Sequence, residues 1–168
     1  GMVGRPCHLR GTVRSTNGDL IAGARVEVWA ADDDGFYDVQ YEGDGMHRAR
    51  ATLNADEAGR FHFKSIRPEA YPIPHDGPVG RMLAALGRHP WRPAHLHFMI
   101  TAPGYERLIT HVFRNGDRYL DSDAVFGVRS SLIADWVAHP PGDAPDGTRS
   151  EVPFYTLDFR FVLNPLRA

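Results

Sequence analysis

The sequence predicts a mainly β protein: an antiparallel β-sandwich with one or two short helices in its connecting loops. Three observations carry that expectation. Glycine and proline make up 17 and 13 of the 168 residues, and they cut the chain into short segments throughout. Several segments alternate polar and apolar residues with the period of two that a half-buried strand requires. Only 81–87 and 130–137 read as helices, and both are short.

Taken in order, His8 to Ser15 reads as a strand, closed by the Asn17-Gly18 turn signal. Arg25 to Ala30 sets Val26 and Val28 on one face and Glu27 and Trp29 on the other. Arg48 to Leu53 is the next expected strand. After the turn-like Glu57-Ala-Gly59, Arg60 to Ile66 alternates again. Pro68 to Gly80 holds prolines and no periodicity, and reads as a loop. Arg81 to Gly87 reads as a short helix stopped by Gly87. His95 to Thr101 and Leu108 to Phe113 are strands, and Ser130 to Val137 is the second expected helix. Pro140 to Gly147 is a polar loop. Thr156 to Leu163 closes the fold, with Leu157, Phe159, Phe161 and Leu163 on one face. Such a pattern of about seven strands suits a sandwich.

The bulk numbers narrow the class. A chain of 168 residues fits one domain, expected here over residues 1–168, and at roughly 150 residues a domain buries about 70% of its unfolded surface. Net charge is −2 and the pI is about 6.5. The arginines are scattered and no basic run interleaves with aromatics, so no nucleic-acid partner is expected. Cys7 is the single cysteine, which excludes an internal disulfide and a cysteine-rich metal site. No apolar run approaches the roughly 18 residues of a membrane span. Gly1 to Arg10 has no apolar signal core, so a cytoplasmic location is the default expectation, and Gly1 before Met2 reads as a cloning remnant.

The sharpest local feature is Arg92-Pro-Ala-His95-Leu-His97. Strand periodicity points His95 and His97 to the same face, while Leu96, Phe98 and Ile100 point to the other. Two imidazoles on one face of a strand can hold a metal ion, or they can be two surface histidines. His-x-His also occurs at zinc and copper sites, so it does not choose the metal. Tyrosines are the remaining candidate ligands: Tyr71 in Tyr71-Pro-Ile-Pro74, and Tyr37 in Gly35-Phe-Tyr37. A phenol, with a pKa of about 10, binds well only to a hard, highly charged ion that displaces its proton. Fe(III) is such an ion, and two phenolates plus a hydroxide would cancel its charge. Either tyrosine taken alone reads first as a core or rim aromatic.

A resemblance supplies the context. From about Gly11 to Leu163 the sequence resembles the catalytic domain of the intradiol ring-cleavage dioxygenases. The residues that carry it are Gly23-Ala-Arg-Val-Glu-Val-Trp29, Gly35-Phe-Tyr37, Thr52 through Gly59-Arg-Phe61, Tyr71-Pro-Ile-Pro74, Asp76-Gly-Pro-Val-Gly80, Gly87 through Phe98, and Asp121-Ser-Asp-Ala-Val-Phe-Gly127. Leu108-Ile-Thr-His-Val-Phe113, followed by Tyr119 to Phe126, is most similar to the hydroxyquinol 1,2-dioxygenase branch, which stands beside the catechol 1,2-dioxygenases. The resemblance implies a non-haem Fe(III) centre with Tyr37, Tyr71, His95 and His97 as ligands. It implies Arg92 and Tyr71 as catalytic groups, with a structural salt bridge as the other reading of Arg92. His111 stands where the family often has glutamine, and reads as a catalytic neighbour that hydrogen bonds to a ligand or to reacting species, or equally as a satisfied core histidine. Ile73, Pro74, Val125, Phe126 and Gly127 are the implied substrate contacts. The implied reaction inserts both atoms of O2 into a catechol-type ring, hydroxyquinol or catechol, giving a muconate- or maleylacetate-type dicarboxylate. The partners implied are a small aromatic diol or triol and O2, with a homo-oligomer compatible.

Many family members carry a long N-terminal helical region that makes a dimer. Here about ten residues precede the first strand, so that region is expected to be absent. Two other readings compete: a non-catalytic transthyretin-like β-sandwich binding module, and a zinc hydrolase using His95 and His97. The first has no use for four ligands and Arg92. The second lacks a carboxylate ligand or base at a convincing spacing.

Overall fold

The computed structural model describes residues 4–32, 35–41 and 49–167. Strands are β1 (Pro6–Ser15), β2 (Arg25–Trp29), β3 (Arg50–Asn54), β4 (Arg60–Ile66), β5 (Tyr71–Pro72), β6 (Trp91–Arg92), β7 (His95–Thr101) and β8 (Leu108–Arg114). They continue as β9 (Ile133–Ala134), β10 (Val137–His139), β11 (Gly142–Asp143), β12 (Arg149–Ser150) and β13 (Phe154–Leu163). One sheet has the order β10-β13-β1-β4 and the other β3-β2-β7-β8-β9. Two small ribbons, β5-β6 and β11-β12, complete the pairing.

The expected alternation is visible in the burial. In β2, Val26 and Val28 are buried while Arg25 is exposed. Leu96, Phe98 and Ile100 of β7 face Val13, Leu157, Phe161 and Leu163 of the other sheet's strands in one core. That is the sandwich the alternation predicts: two sheets sharing their apolar faces. Gly11 shows how tightly the core is filled, because a Cβ there would stand 2.2 Å from the Phe61 ring across the β1–β4 pair. Most pairings are antiparallel, but β1 runs parallel to β13 and β8 runs parallel to β9.

Two expectations need correction. The helix expected over 81–87 is α1, Pro78–Ala85. It starts earlier because Pro78 sits in its first turn, where the missing N–H costs nothing, and Gly87, at φ +64°, lies past its end. The helix expected over 130–137 does not form. Ser130–Leu132 makes one 3-10 turn, then β9 pairs with Phe113 and Arg114, and β10 pairs with β13. Ile133 and Val137 have helical spacing, but β-branched residues accept the pleat and the two sheet edges take up the backbone groups. Of the strand expected over 48–53, Arg48 lies outside the described residues. The proline-rich 68–80 segment is loop except where Tyr71 pairs with Arg92 in β5-β6 and where α1 begins at Pro78.

Candidate functional site

The outer face of the five-stranded sheet carries a ladder of rings. In the register of β2, β7 and β8, Trp29 is paired with His97 and His97 with His111. The Trp29 and His97 rings stack at 5.1 Å with an interplanar angle of 4°. His95, one step along the same face of β7, has its ring centroid 4.7 Å from that of His97 and 5.1 Å from that of His111. Ring nitrogens of the three histidines lie within 4.8 Å of one another. Strand periodicity thus does what it predicted for His95 and His97, and cross-strand pairing adds His111.

The tyrosines arrive from two connecting segments. Asp38 accepts hydrogen bonds from Arg50 Nε at 2.8 Å and Nη2 at 3.0 Å. That bidentate pair ties the Tyr37 segment to β3. Tyr71 is brought in by its pairing with Arg92. The segments pass closely at Gly35, where φ is +85° and a Cβ would stand 2.8 Å from the Tyr71 Cβ. Glycine meets both demands there.

The side-chain tips converge. Tyr37 Oη lies 2.5 Å from Tyr71 Oη and 2.8 Å from His97 Nε2, which lies 3.1 Å from His95 Nε2. His95 Nδ1 donates to the Pro93 carbonyl at 2.7 Å, leaving Nε2 to carry the lone pair of the neutral ring. Burial, then the charge of Arg92, pushes the His95 pKa well below its ordinary value. Burial, then the positive side of His111 and Arg92, pushes His97 down to about 3. Both imidazoles are therefore neutral, the form that binds a metal. Burial, then Tyr71, pushes the Tyr37 pKa up, so its phenol ionises only if a strongly charged ion displaces the proton.

These residues fit a ferric ion. Donor atoms sharing one ion at bonds of roughly 2.0–2.1 Å lie about 3 Å apart, and the three contacts of 2.5, 2.8 and 3.1 Å have that spacing. Two phenol oxygens and two imidazole nitrogens are a hard, charge-compensating set, and the Cys7 thiol is buried elsewhere.

Arg92 stands beside this group, 5% exposed. Its Nη1 is 3.0 Å from His95 Nε2, and its Nε and Nη2 reach the two oxygens of Asp123 at 3.1 and 3.4 Å. Of the expected substrate contacts, Gly127 lies against Arg92 and Asp123: a Cβ there would come 3.0 Å from Arg92 Nη2. Val125 and Phe126 are exposed, and Phe126 holds φ +57° with Arg88 4.0 Å over its ring. Ile73 is half-buried and Pro74 exposed, two and three residues after Tyr71. Sequence reasoning passed over Asp123, Trp29, Gly35 and the Asp38–Arg50 pair. Asp123 lay within a quoted motif, with a glycine four residues on, but its arginine partner is 31 residues away.

Residues 2–165 match the family described as Dioxygenase. The chain belongs to the intradiol ring-cleavage dioxygenase family. It is 61% identical over 165 residues to the 6-chlorohydroxyquinol 1,2-dioxygenase of Cupriavidus pinatubonensis, covering 98% of this chain and 56% of that one. It is 52% identical to the hydroxyquinol 1,2-dioxygenase of Nocardioides simplex, again over 98% of this chain and 56% of the relative. Among solved structures, the hydroxyquinol 1,2-dioxygenase of Pseudomonas putida DLL-E4 superposes with a TM-score of 0.88 at 41% identity, over 97% of this chain and 57% of that one. The chain of this family member therefore spans just over half the length of these relatives. Non-haem iron is the metal of the family. Among the described residues no helix is long and apolar enough to cross a membrane.

Proposed function

We propose that this intradiol family member, as one catalytic domain over residues 1–168, binds Fe(III) through Tyr37, Tyr71, His95 and His97 and cleaves a catechol-type ring with O2. The observation that carries the reading is the convergence of two phenol oxygens and two imidazole nitrogens at 2.5–3.1 Å. A non-catalytic sandwich has no reason to gather that set, and the relatives' names are those of ring-cleaving dioxygenases.

Ferric iron, when bound, supplies a Lewis acid for the two diol oxygens and draws electron density from the ring so that O2 can attack it. The chain's residues do the rest. His95 and His97 stay neutral because they are buried, so they compete for no proton. A diol must lose two protons to chelate. Tyr71, a phenolate where it holds the ion, would accept one of them at Oη and a hydroxide displaced by the diol would take the other, which keeps the site's charge nearly constant in a poorly solvated place. Arg92 stays protonated at any working pH, and Asp123 strengthens that preference. Its guanidinium stabilises negative charge building on the substrate oxygens. His111, paired with His97 across the strands, orients the ligand ring from the side. Both oxygen atoms end in the dicarboxylate, so no nicotinamide or flavin donor is required. Hydroxyquinol is the first substrate to test, because relatives at 52–61% identity carry that name or its chlorinated form.

The test is direct. The protein loaded with Fe(III) should show a visible tyrosinate-to-iron charge-transfer band, and should consume O2 and hydroxyquinol one to one. A colourless loaded protein, or no uptake with hydroxyquinol, catechol or chlorocatechol, overturns the reading. Tyr71→Phe should keep the fold, shift the band and slow turnover. An unchanged band would remove Tyr71 from the ligand set.

A further inference from the structure

Outside the donor cluster, one buried acid, which already favours the charged form of Arg92, makes further contacts that the reaction as described does not use. Asp123 is 3% exposed, yet it belongs to a turn whose neighbours Val125 and Phe126 are exposed. Its Oδ1 accepts from Arg92 Nε at 3.1 Å and from the Val125 N–H at 3.3 Å. Its Oδ2 accepts from Arg92 Nη2 at 3.4 Å and from the Gly127 N–H at 2.8 Å. One carboxylate therefore holds a guanidinium on one side and two backbone amides on the other.

We infer that Asp123 is the positioning residue of this site, aiming Arg92 Nη1 into the donor cluster beside His95 and drawing the 125–127 turn onto the same guanidinium. Three features support it. A guanidinium can meet a carboxylate through its Nη1/Nη2 edge or its Nε/Nη2 edge, and Asp123 takes the second, which leaves Nη1 facing the donor cluster. The remaining nitrogen, Nη1, is the one at 3.0 Å from His95 Nε2. Gly127 fits the same design, since a Cβ there would press on both Arg92 Nη2, at 3.0 Å, and Asp123 Oδ2, at 3.2 Å. Phe126 is held at φ +57°, a conformation that costs a bulky residue energy and persists only where neighbouring contacts enforce it. The amide bonds to Asp123 on either side of Phe126 are such contacts. Arg88, which donates to the Asp123 carbonyl at 2.9 Å and covers the Phe126 ring, closes the turn from outside.

The proposal rests on the ring-cleavage reading for its kinetic half, but its structural half is read on the protein alone. The experiment compares wild type, Asp123→Asn, Arg92→Gln and the double variant, each in the full chain. Hydrogen exchange is followed at the Val125 and Gly127 amides without metal or substrate. Asp123→Asn should speed exchange at both about tenfold or more, while Arg92→Gln leaves the amide bonds to Asp123 in place. With Fe(III) and hydroxyquinol, Asp123→Asn should lower kcat more than it raises KM. The double variant should lose less than the two single losses combined, because much of the effect of Asp123 runs through Arg92. Additive losses, or an Asp123→Asn enzyme with wild-type kcat, would overturn the inference. If the wild type turns over no diol, the ring-cleavage reading fails, and unchanged exchange at Gly127 and Val125 then overturns this one separately. If Asp123→Asn alone does not fold, the double variant, which leaves no charge buried without its partner, carries the exchange measurement, and unchanged exchange in it overturns the inference.

Discussion

The two sheets of this sandwich share a core but differ on their outer faces. On the four-stranded sheet, Arg10 and Asp158 form a bidentate pair at 2.9 and 2.9 Å, with both side chains more than 60% exposed. Beside the five-stranded sheet, Arg92 and Asp123 meet with similar geometry, 3.1 and 3.4 Å, at 6% and 2% exposure. The same residue types in the same arrangement thus face opposite energetics. Water screens the first pair, and the pair adds little. The second is shielded from water, so each charge depends on the other. A surface groove does run over β1, β4 and β13, lined by His8, Lys64, Asp146 and Asp158 among others. It holds none of the proposed ligands. What makes a site here is loop cover over a sheet face, more than a hollow.

The largest test of that contrast removes a ligand. His97→Ala should fold, because His97 lies on the outer face, but Fe(III) affinity should fall by more than roughly a hundredfold, since losing even an outer partner of a ligand costs about 10–100-fold. Titration of the visible band measures it, and wild-type affinity would break the comparison. Next, Arg92→Leu should destabilise the metal-free protein by about 3–5 kcal/mol, because Asp123 is left buried and charged. Arg10→Leu should cost less than about 1 kcal/mol. Equal losses in urea denaturation would mean the two environments do not differ as burial says. Smaller again, Trp29→Leu removes the flat partner of His97 and should cost about 1 kcal/mol beyond lost area, with a modest drop in metal affinity.

The smallest effect concerns pH and the other sheet. His8, on the outer face of β1, is buried, and its pKa lies below the ordinary 6.5 because of that burial, partly offset by Asp146. The unfolded chain therefore takes up a proton at about pH 6.5 that the folded chain refuses. Stability should fall as pH drops through that value. His8→Gln should make the slope shallower in the metal-free protein. A slope remains, because His95, His97 and His111 are shifted in the same direction. An unchanged slope would show that His8 is solvated.

The sheets were legible because alternation is a local signal. Val26 and Val28, or Leu157 and Phe161, announce their face from their neighbours alone. His95 and His97 were legible for the same reason. Tyr37 and Tyr71 were not. Nothing within a few residues of Tyr37 says that Asp38 will be gripped by Arg50 and carry the phenol to His97, so those two proposed ligands came from family resemblance. Asp123 was missed on similar grounds, since its function lies in a partner 31 residues away. The 130–137 stretch was misread because spacing of Ile133 and Val137 fits a helix, while the deciding partners, Phe113 and β13, are distant in sequence.

The parallel pairing of β1 with β13 joins residues 148 positions apart, as Arg10 and Asp158 are, and its consequence concerns time. A contact between such distant residues must wait for a long loop to close. The β7–β8 ladder, which holds all three histidines, joins residues such as His97 and His111 that are close in sequence. The histidine face should therefore be assembled while the apolar underside of its own sheet is still uncovered. Pulse-labelled hydrogen exchange during refolding should show Leu96 and Val112 protected before Leu157 and Phe161, and the reverse order would refute it. Until β13 arrives, this is a half-sandwich with its ligand strand in place and its core still open to water.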